Sequence, residues 1–186
     1  MIYLMRHGRD DEDFLGGWSD NELTEDGVLQ VKNAALYMLK SNIKINKIVC
    51  SPIKRAYDSA VIVGDLLGVK DIVVDERLKE QNKGKLNGMN KKEANIKYPE
   101  YLIDSVETIY PKGESLKMLN DRIVDNIELF SEAEDGTLFI THRGVINSIY
   151  YYLNKIELDM NKTQFGVGFA SIHEVDFRTD KIFKIY

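Results

Sequence analysis

Cysteine is almost missing from this chain. Cys50 is the single one among 186 residues, so an internal disulfide is excluded and the composition accords with a reducing compartment. Proline, at 3 residues, and glycine, at 13, are too few for a collagen-like or low-complexity sequence. No uninterrupted apolar run approaches the roughly 18 residues that a membrane span needs; even Val145 to Leu153 is broken by Asn147 and Ser148. Positive charge is not in excess either. The 25 Lys+Arg against 30 Asp+Glu leave a formal charge of -5, so nothing draws the whole molecule to nucleic acid or to an acidic membrane, and neither is expected as a partner. Any anion site has to be local.

What is present is a globular composition, 44% hydrophobic and 30% charged, in a length that suits one domain over residues 1–186. The opening Met1 to Gly8 meets its first charge after five residues, too early for a secretory leader, so a cytoplasmic location is expected. Nothing in the sequence specifies an oligomeric state.

Ile2-Tyr3-Leu4-Met5 is short, apolar and followed by Arg6-His7-Gly8, the pattern of a buried strand that delivers polar groups to a sheet edge. Thr24, with Glu25 and Asp26 after it, supplies an N-cap and an acidic first turn, and Val28, Val31, Ala35, Met38 and Leu39 share one helical face to about residue 41. Ile45 to Cys50 reads as a second strand and Pro52 as the N1 residue of a second helix, which Gly68 ends. A third strand is expected at Ile72–Val74, then a polar stretch with turns at Gly84 and Asn87-Gly88 and short helices near 91–98. One long helix from Ser115 to about Ser131, a strand from Thr137 to Thr141 and a helix from Val145 to Leu153 follow. A hairpin pairing 171–177 with 181–185 closes the chain. This alternation predicts an α/β three-layer sandwich with a mostly parallel sheet and an antiparallel edge strand.

Ligands of such sheets bind beyond the carboxyl ends of the strands. The first strand ends in Arg6-His7-Gly8, the second leads into Ser51-Pro52 with Lys54-Arg55 beyond, and the fourth ends in Thr141-His142-Arg143-Gly144. Parallel strands would bring two of the three histidines and several arginines to one edge, as an anion site with two imidazoles. An imidazole flanked by guanidiniums can attack phosphorus once its proton is held on the far nitrogen by a backbone carbonyl. Arginines would neutralise the phosphoryl oxygens in pairs of hydrogen bonds, and a second, protonated histidine would add a charge-assisted donor. Spacing alone leaves phosphoryl chemistry and an ordinary structural role for these residues equally open.

Six segments narrow the choice. They are Arg6-His7-Gly8; Leu23-Thr24-Glu25 with Gly27; Ser51-Pro52 with Arg55-Ala56 and Ser59-Ala60; Arg77-Leu78-Lys79-Glu80 with Gly84 and Gly88; Gly113-Glu114-Ser115 with Arg122; and Thr141-His142-Arg143-Gly144-Val145. Any one is weak, but in this order and spacing, over nearly the whole chain, they resemble the histidine phosphatase (phosphoglycerate mutase-like) superfamily, in its small phosphatase branch. The resemblance implies a phosphoglycerate mutase-like fold and a metal-independent phosphomonoesterase that acts on small phosphorylated metabolites through a phosphohistidine. By the same resemblance His7 is the nucleophile, Arg6, Arg55 and His142 bind the phosphoryl oxygens, and Glu80 protonates the leaving oxygen and then activates water. A carboxyl group sheltered from water is suited to that donation near neutral pH. No cofactor and no metal ion is required, because guanidiniums take the place of magnesium. A mutase of the same superfamily, or a non-catalytic member that binds a protein, are the alternatives; mutases are usually longer, and beyond the short segment 89–112 little chain remains for a closing lid.

The chain also departs from the family pattern. Arg9, Asp10 and Asp13 stand where a Glu or Gln, a Thr and an Asn are common. Asp13 would repel a phosphate dianion and is expected to point elsewhere, and Arg143, where Gly is frequent, is either a cation at the pocket rim or a solvated side chain. Glu76 and Glu114 compete with Glu80 for the acid role. His173, alternating with apolar residues in a strand, is expected on a solvated face, and Trp18 as a loop anchor. Segment Asn90 to Lys97 reads as a solvated cap in which Lys91 and Lys92 can attract an anionic substrate. Cys50 to Arg55 is not a cysteine phosphatase loop, having four intervening residues instead of five and no glycine. Asp11-Glu12-Asp13 lies too far past the strand for an aspartate phosphatase motif.

Overall fold

Strand β1, Ile2–Arg6, sends alternate side chains to opposite faces of a sheet. Ile2 and Leu4 pack into one apolar cluster and Met5 into another. Strands β2 (Lys47–Cys50) and β4 (Thr137–Thr141) do the same, with Val49 and Phe139 on the first side and Ile48, Cys50, Leu138 and Ile140 on the second. Both faces are therefore buried, and helices have to cover each. On the second face lie α1 (Glu25–Lys40) and α2 (Lys54–Leu67); on the first lie α4 (Leu116–Val124) and α6 (Arg143–Asn154). The computed structural model describes residues 1–102 and 105–186; positions 103 and 104, inside the short segment 89–112, lie outside the described residues.

The sheet has six strands in the order β3-β2-β4-β1-β5-β6, where β3 is Ile72–Val74, β5 Ile172–Asp176 and β6 Lys181–Lys184. Pairings β1 with β4, β4 with β2 and β2 with β3 are parallel, while β1 with β5 and β5 with β6 are antiparallel. This is the expected α/β architecture, with two antiparallel strands at the edge instead of one because the whole C-terminal hairpin joins the sheet. Thr24 caps α1, its Oγ1 accepting the Gly27 N–H at 3.0 Å, and Gly68 closes α2 in the left-handed region. Helix α3 (Lys91–Lys97) starts at Asn90. Among the described residues no helix is long and apolar enough to cross a membrane.

Three expectations need correction. The helix foreseen from Ser115 to Ser131 breaks into α4 and a one-turn α5 (Glu128–Ser131). Asn126 Nδ2 donates to the Arg122 carbonyl at 2.9 Å, the acceptor its own N–H would use in a continuous helix, and that N–H turns to Ile123 instead. Pro52 is not at N1: Ser51 Oγ accepts the Ile53 N–H, Ile53 is the N-cap, and α2 starts one residue later. His173 is not solvated. It shares the α6 side of β5 with Val175 and is fully buried, with Tyr150 Oη 2.8 Å from Nδ1 and Ser171 Oγ 2.9 Å from Nε2. Burial, with a smaller contribution from Lys184, pushes its pKa down to about 4. Period-two alternation marks two faces but does not say that one is wet.

Candidate active site

Parallel register places Arg6 opposite Thr141, so the residues after β1 and β4 emerge side by side. His7 N–H donates to the Thr141 carbonyl at 3.0 Å, and the rings of His7 and His142 stand 5.1 Å apart. His7 Nδ1 lies 2.7 Å from the Gly8 carbonyl. A carbonyl only accepts, so the network assigns the ring proton to Nδ1 and leaves a lone pair on Nε2. Arg55 Nε–H points at that lone pair from 3.2 Å. Burial first, then the charge of Arg55, coupling to the His142 ring and the charge of Arg6, hold the His7 pKa well below its ordinary value. The imidazole is thereby held toward its neutral form, in which the Nε2 lone pair is available. Gly8 is required by the packing: a Cβ there would run into the Gly27 carbonyl and Val31 at the start of α1.

Arg55, in the first turn of α2, is almost fully buried and ties loop 9–23 to His7. Its Nη2 donates to the Gly17 carbonyl at 2.8 Å, its Nη1 to the Ser19 carbonyl and hydroxyl at 3.3 Å, and its Nε stands 3.4 Å from Asp10 Oδ2. Arg6 donates from Nη1 to the Val167 carbonyl at 3.1 Å and lies 3.8 Å over the Phe169 ring, its Nε without a partner among the described residues. Burial, followed by the charge of Arg143, lowers its pKa to about 10.

His142 is fully buried, with Nε2 2.8 Å from Ser51 Oγ and Nδ1 without a partner among the described residues. Burial and the charges of Arg55, Arg6 and Arg122 lower its pKa well below 6.5. These neighbours favour the neutral ring, against the protonated donor expected from the sequence.

Glu80 Oε1 accepts the Gln81 N–H at 2.9 Å and Oε2 the Gly144 N–H at 3.2 Å; a Cβ on Gly144 would collide with this carboxylate. Arg122 fixes the loop by donating to the carbonyls of Arg77, Lys79 and Glu80, and Trp18 Nε1 donates to the Glu80 carbonyl at 2.7 Å, which makes Trp18 the loop anchor foreseen. Glu76 pairs with Lys79 and Glu114 with Arg122.

A cavity of about 220 Å³ opens onto part of this set. Arg6, His7, Arg55 and Glu80 line it, whereas Glu76, Glu114 and the fully buried His142 do not. Arg143 also lines it, so it stands at the rim. Asp13 does not line it and faces elsewhere, its carbonyl accepting the Lys91 N–H. Lys91 belongs to the wall and Lys92 does not. Lys83, which the sequence did not single out, lines the same wall; burial and the cations Lys162, Arg143 and Lys91 bring its pKa down to about 8. Sequence reasoning also missed Phe169, Ser51 as the partner of His142, and Asp10, which it registered only as a departure from a pattern. Among the described residues no three His, Cys, Asp or Glu side chains are grouped to hold a metal ion.

The geometry has counterparts. A 2,3-bisphosphoglycerate-dependent phosphoglycerate mutase of Thermoplasma acidophilum is 31% identical over 96% of this chain and 88% of its own. The solved mycobacterial glucosyl-3-phosphoglycerate phosphatase superposes with a TM-score of 0.77 at 26% identity, over 92% of this chain and 88% of that one. YhfR of Bacillus stearothermophilus shares the fold with a TM-score of 0.79 at 23% identity, over 99% and 94%. The sequence model of the histidine phosphatase superfamily (branch 1) matches residues 2–185, and this chain belongs to that family.

Proposed function

We propose that this chain is a metal-independent phosphomonoesterase for small phosphorylated metabolites, working through a phosphohistidine on His7. The observation that carries the reading is the tautomer of His7: the Gly8 carbonyl holds the proton on Nδ1, and the lone pair of Nε2 faces the clamp arginine Arg55. Nε2 attacks phosphorus in line, the P–O bond to the leaving group breaks as the P–N bond forms, and Glu80 in its acid form gives the leaving oxygen a proton. Arg55 Nε–H transfers its hydrogen bond from Nε2 to a phosphoryl oxygen, and Arg6 and the unpartnered Nδ1 side of His142 supply further donors. Water then attacks phosphorus, Glu80 as carboxylate takes its proton, and the P–N bond breaks to release inorganic phosphate and restore neutral His7. The cationic wall of Lys83, Lys91 and Arg143 favours substrates with anionic character.

Rapid quench with radiolabelled phosphate ester tests the reading. An acid-labile, base-stable phosphoenzyme is expected on the wild type and none on a folded His7→Ala variant, with turnover unaffected by excess EDTA. Undiminished turnover by His7→Ala would remove His7 as the nucleophile.

A further inference from the structure

Asp10 follows the Arg6-His7-Gly8 segment by two residues and is almost fully buried. It lines the cavity beside Arg6 and His7, with Oδ2 3.4 Å from the Nε that Arg55 also presents to His7. The donor assigned above to a phosphoryl oxygen is therefore also ion-paired with a carboxylate. Two negative groups on one guanidinium N–H, withdrawn from water, repel each other strongly.

We propose that Asp10 is a member of the phosphoryl clamp that works as a carboxylic acid, its O–H donating to a phosphoryl oxygen, so that the site takes the phosphoryl group together with one proton on Asp10. This deepens the phosphohistidine reading and rests on it. The proton is not transferred: the P–O bond breaks and the P–N bond forms as before, and Asp10 keeps its hydrogen through the step.

The groups facing Asp10 come from every neighbouring element. Arg55 of α2 and Arg6 at the end of β1 favour the carboxylate, Glu12 in the same loop disfavours it, and His7 is neutral. Glu80, across the cavity, bears on the same two arginines. Burial outweighs both arginines and raises the Asp10 pKa above its ordinary value, the direction that favours the acid form. An incoming phosphoryl group takes up the arginine hydrogen bonds and adds negative charge, and each effect favours protonation further. A neutral residue such as Thr or Asn at this position would donate without any proton uptake.

Calorimetric titration of the wild type with inorganic phosphate, repeated in buffers of different ionisation enthalpy, counts protons taken up on binding without any need for turnover. Above the Asp10 pKa the wild type is expected to bind about one more proton than Asp10→Asn, since the ionisation of phosphate itself is common to both. In kinetics, kcat/KM of the wild type should fall about tenfold per pH unit above that pKa, while Asp10→Asn and Asp10→Thr stay level over the same range. Equal proton uptake by wild type and Asp10→Asn would overturn the proposal. So would a uniform loss of phosphate affinity at every pH in both variants, which would make Asp10 only a brace for Arg55. Phosphate binding with the expected proton count but no phosphoenzyme would instead sink the phosphohistidine reading and leave the role of Asp10 standing.

Discussion

Glu80 and Arg55 touch the same cavity but are tied down in different ways, and the difference sets what their removal should do. Glu80 offers its carboxylate from a loop whose backbone is fixed by Arg122 and Trp18, so Glu80→Gln alters proton supply and gives up one of the two backbone N–H bonds to its side chain while those two residues still hold the loop. Alkyl phosphates should slow by about 100- to 10,000-fold, the range of acid catalysis, while nitrophenyl phosphate, whose anion leaves unaided, is spared. Arg55 bonds Gly17, Ser19 and His7, so Arg55→Ala should slow both esters alike, because it removes charge from the phosphoryl group whatever leaves. Equal losses for the two esters in Glu80→Gln would take the acid role from Glu80. At this scale the sequence was informative where residues stand in an ordered series of short segments, as His7, Arg55 and His142 do. It was silent where function depends on contacts between distant positions. Ser51 meets His142 across 91 positions, Phe169 reaches Arg6 from the far end of the chain, and no local spacing encodes either contact.

Strands and helices whose signals are local came out as read: the Thr24 cap, the Gly68 stop and the parallel strands ending in polar residues. The failures were of two kinds. Asn126 ends α4 and Ser51 delays α2 through short-range side-chain bonds that apolar periodicity does not reveal, and β5 is covered by tertiary packing on a face that alternation alone would have left to water. The buried His173 between β5 and α6 gives this packing a pH signature. Its folded pKa, about 4, lies below its ordinary 6.5, so the unfolded chain binds the proton first as pH falls. The stability that neutral His173 contributes is complete above 6.5, declines as pH drops through the interval, and by pH 4 has fallen by about 3 kcal/mol. His7 and His142, lowered in the same direction, add to the slope. Denaturant midpoints measured between pH 7 and 4 should fall for the wild type and fall less for His173→Gln. A variant as pH-sensitive as the wild type would place the acid sensitivity elsewhere.

For the whole molecule the proposed phospho-His7 has two fates, attack by water or by a second substrate. Relatives include both a mutase and a phosphatase, and the two chemistries share every group on the phosphoryl side. They diverge in enclosure, since a mutase has to keep water from an intermediate whose loss ends its cycle. Among the described residues of 89–112, Lys91 alone lines the cavity; helix α3 supplies a cation at the wall and no apolar cover over it. The apolar lining comes instead from Phe14, Leu15, Leu116, Leu158 and Phe169, and on the phosphatase reading proposed above water still reaches the phosphoenzyme, which should decay quickly. Inorganic phosphate should be released from 3-phosphoglycerate and other monoesters without priming by a bisphosphate, with little interconversion of 2- and 3-phosphoglycerate. Parallel assays of phosphate release and isomerisation, with and without 2,3-bisphosphoglycerate, read both fates at once. Isomerisation that depends on the bisphosphate and outruns phosphate release would make this chain a mutase, and would leave the roles of His7, Arg6, Arg55 and His142 on the phosphoryl group as they stand.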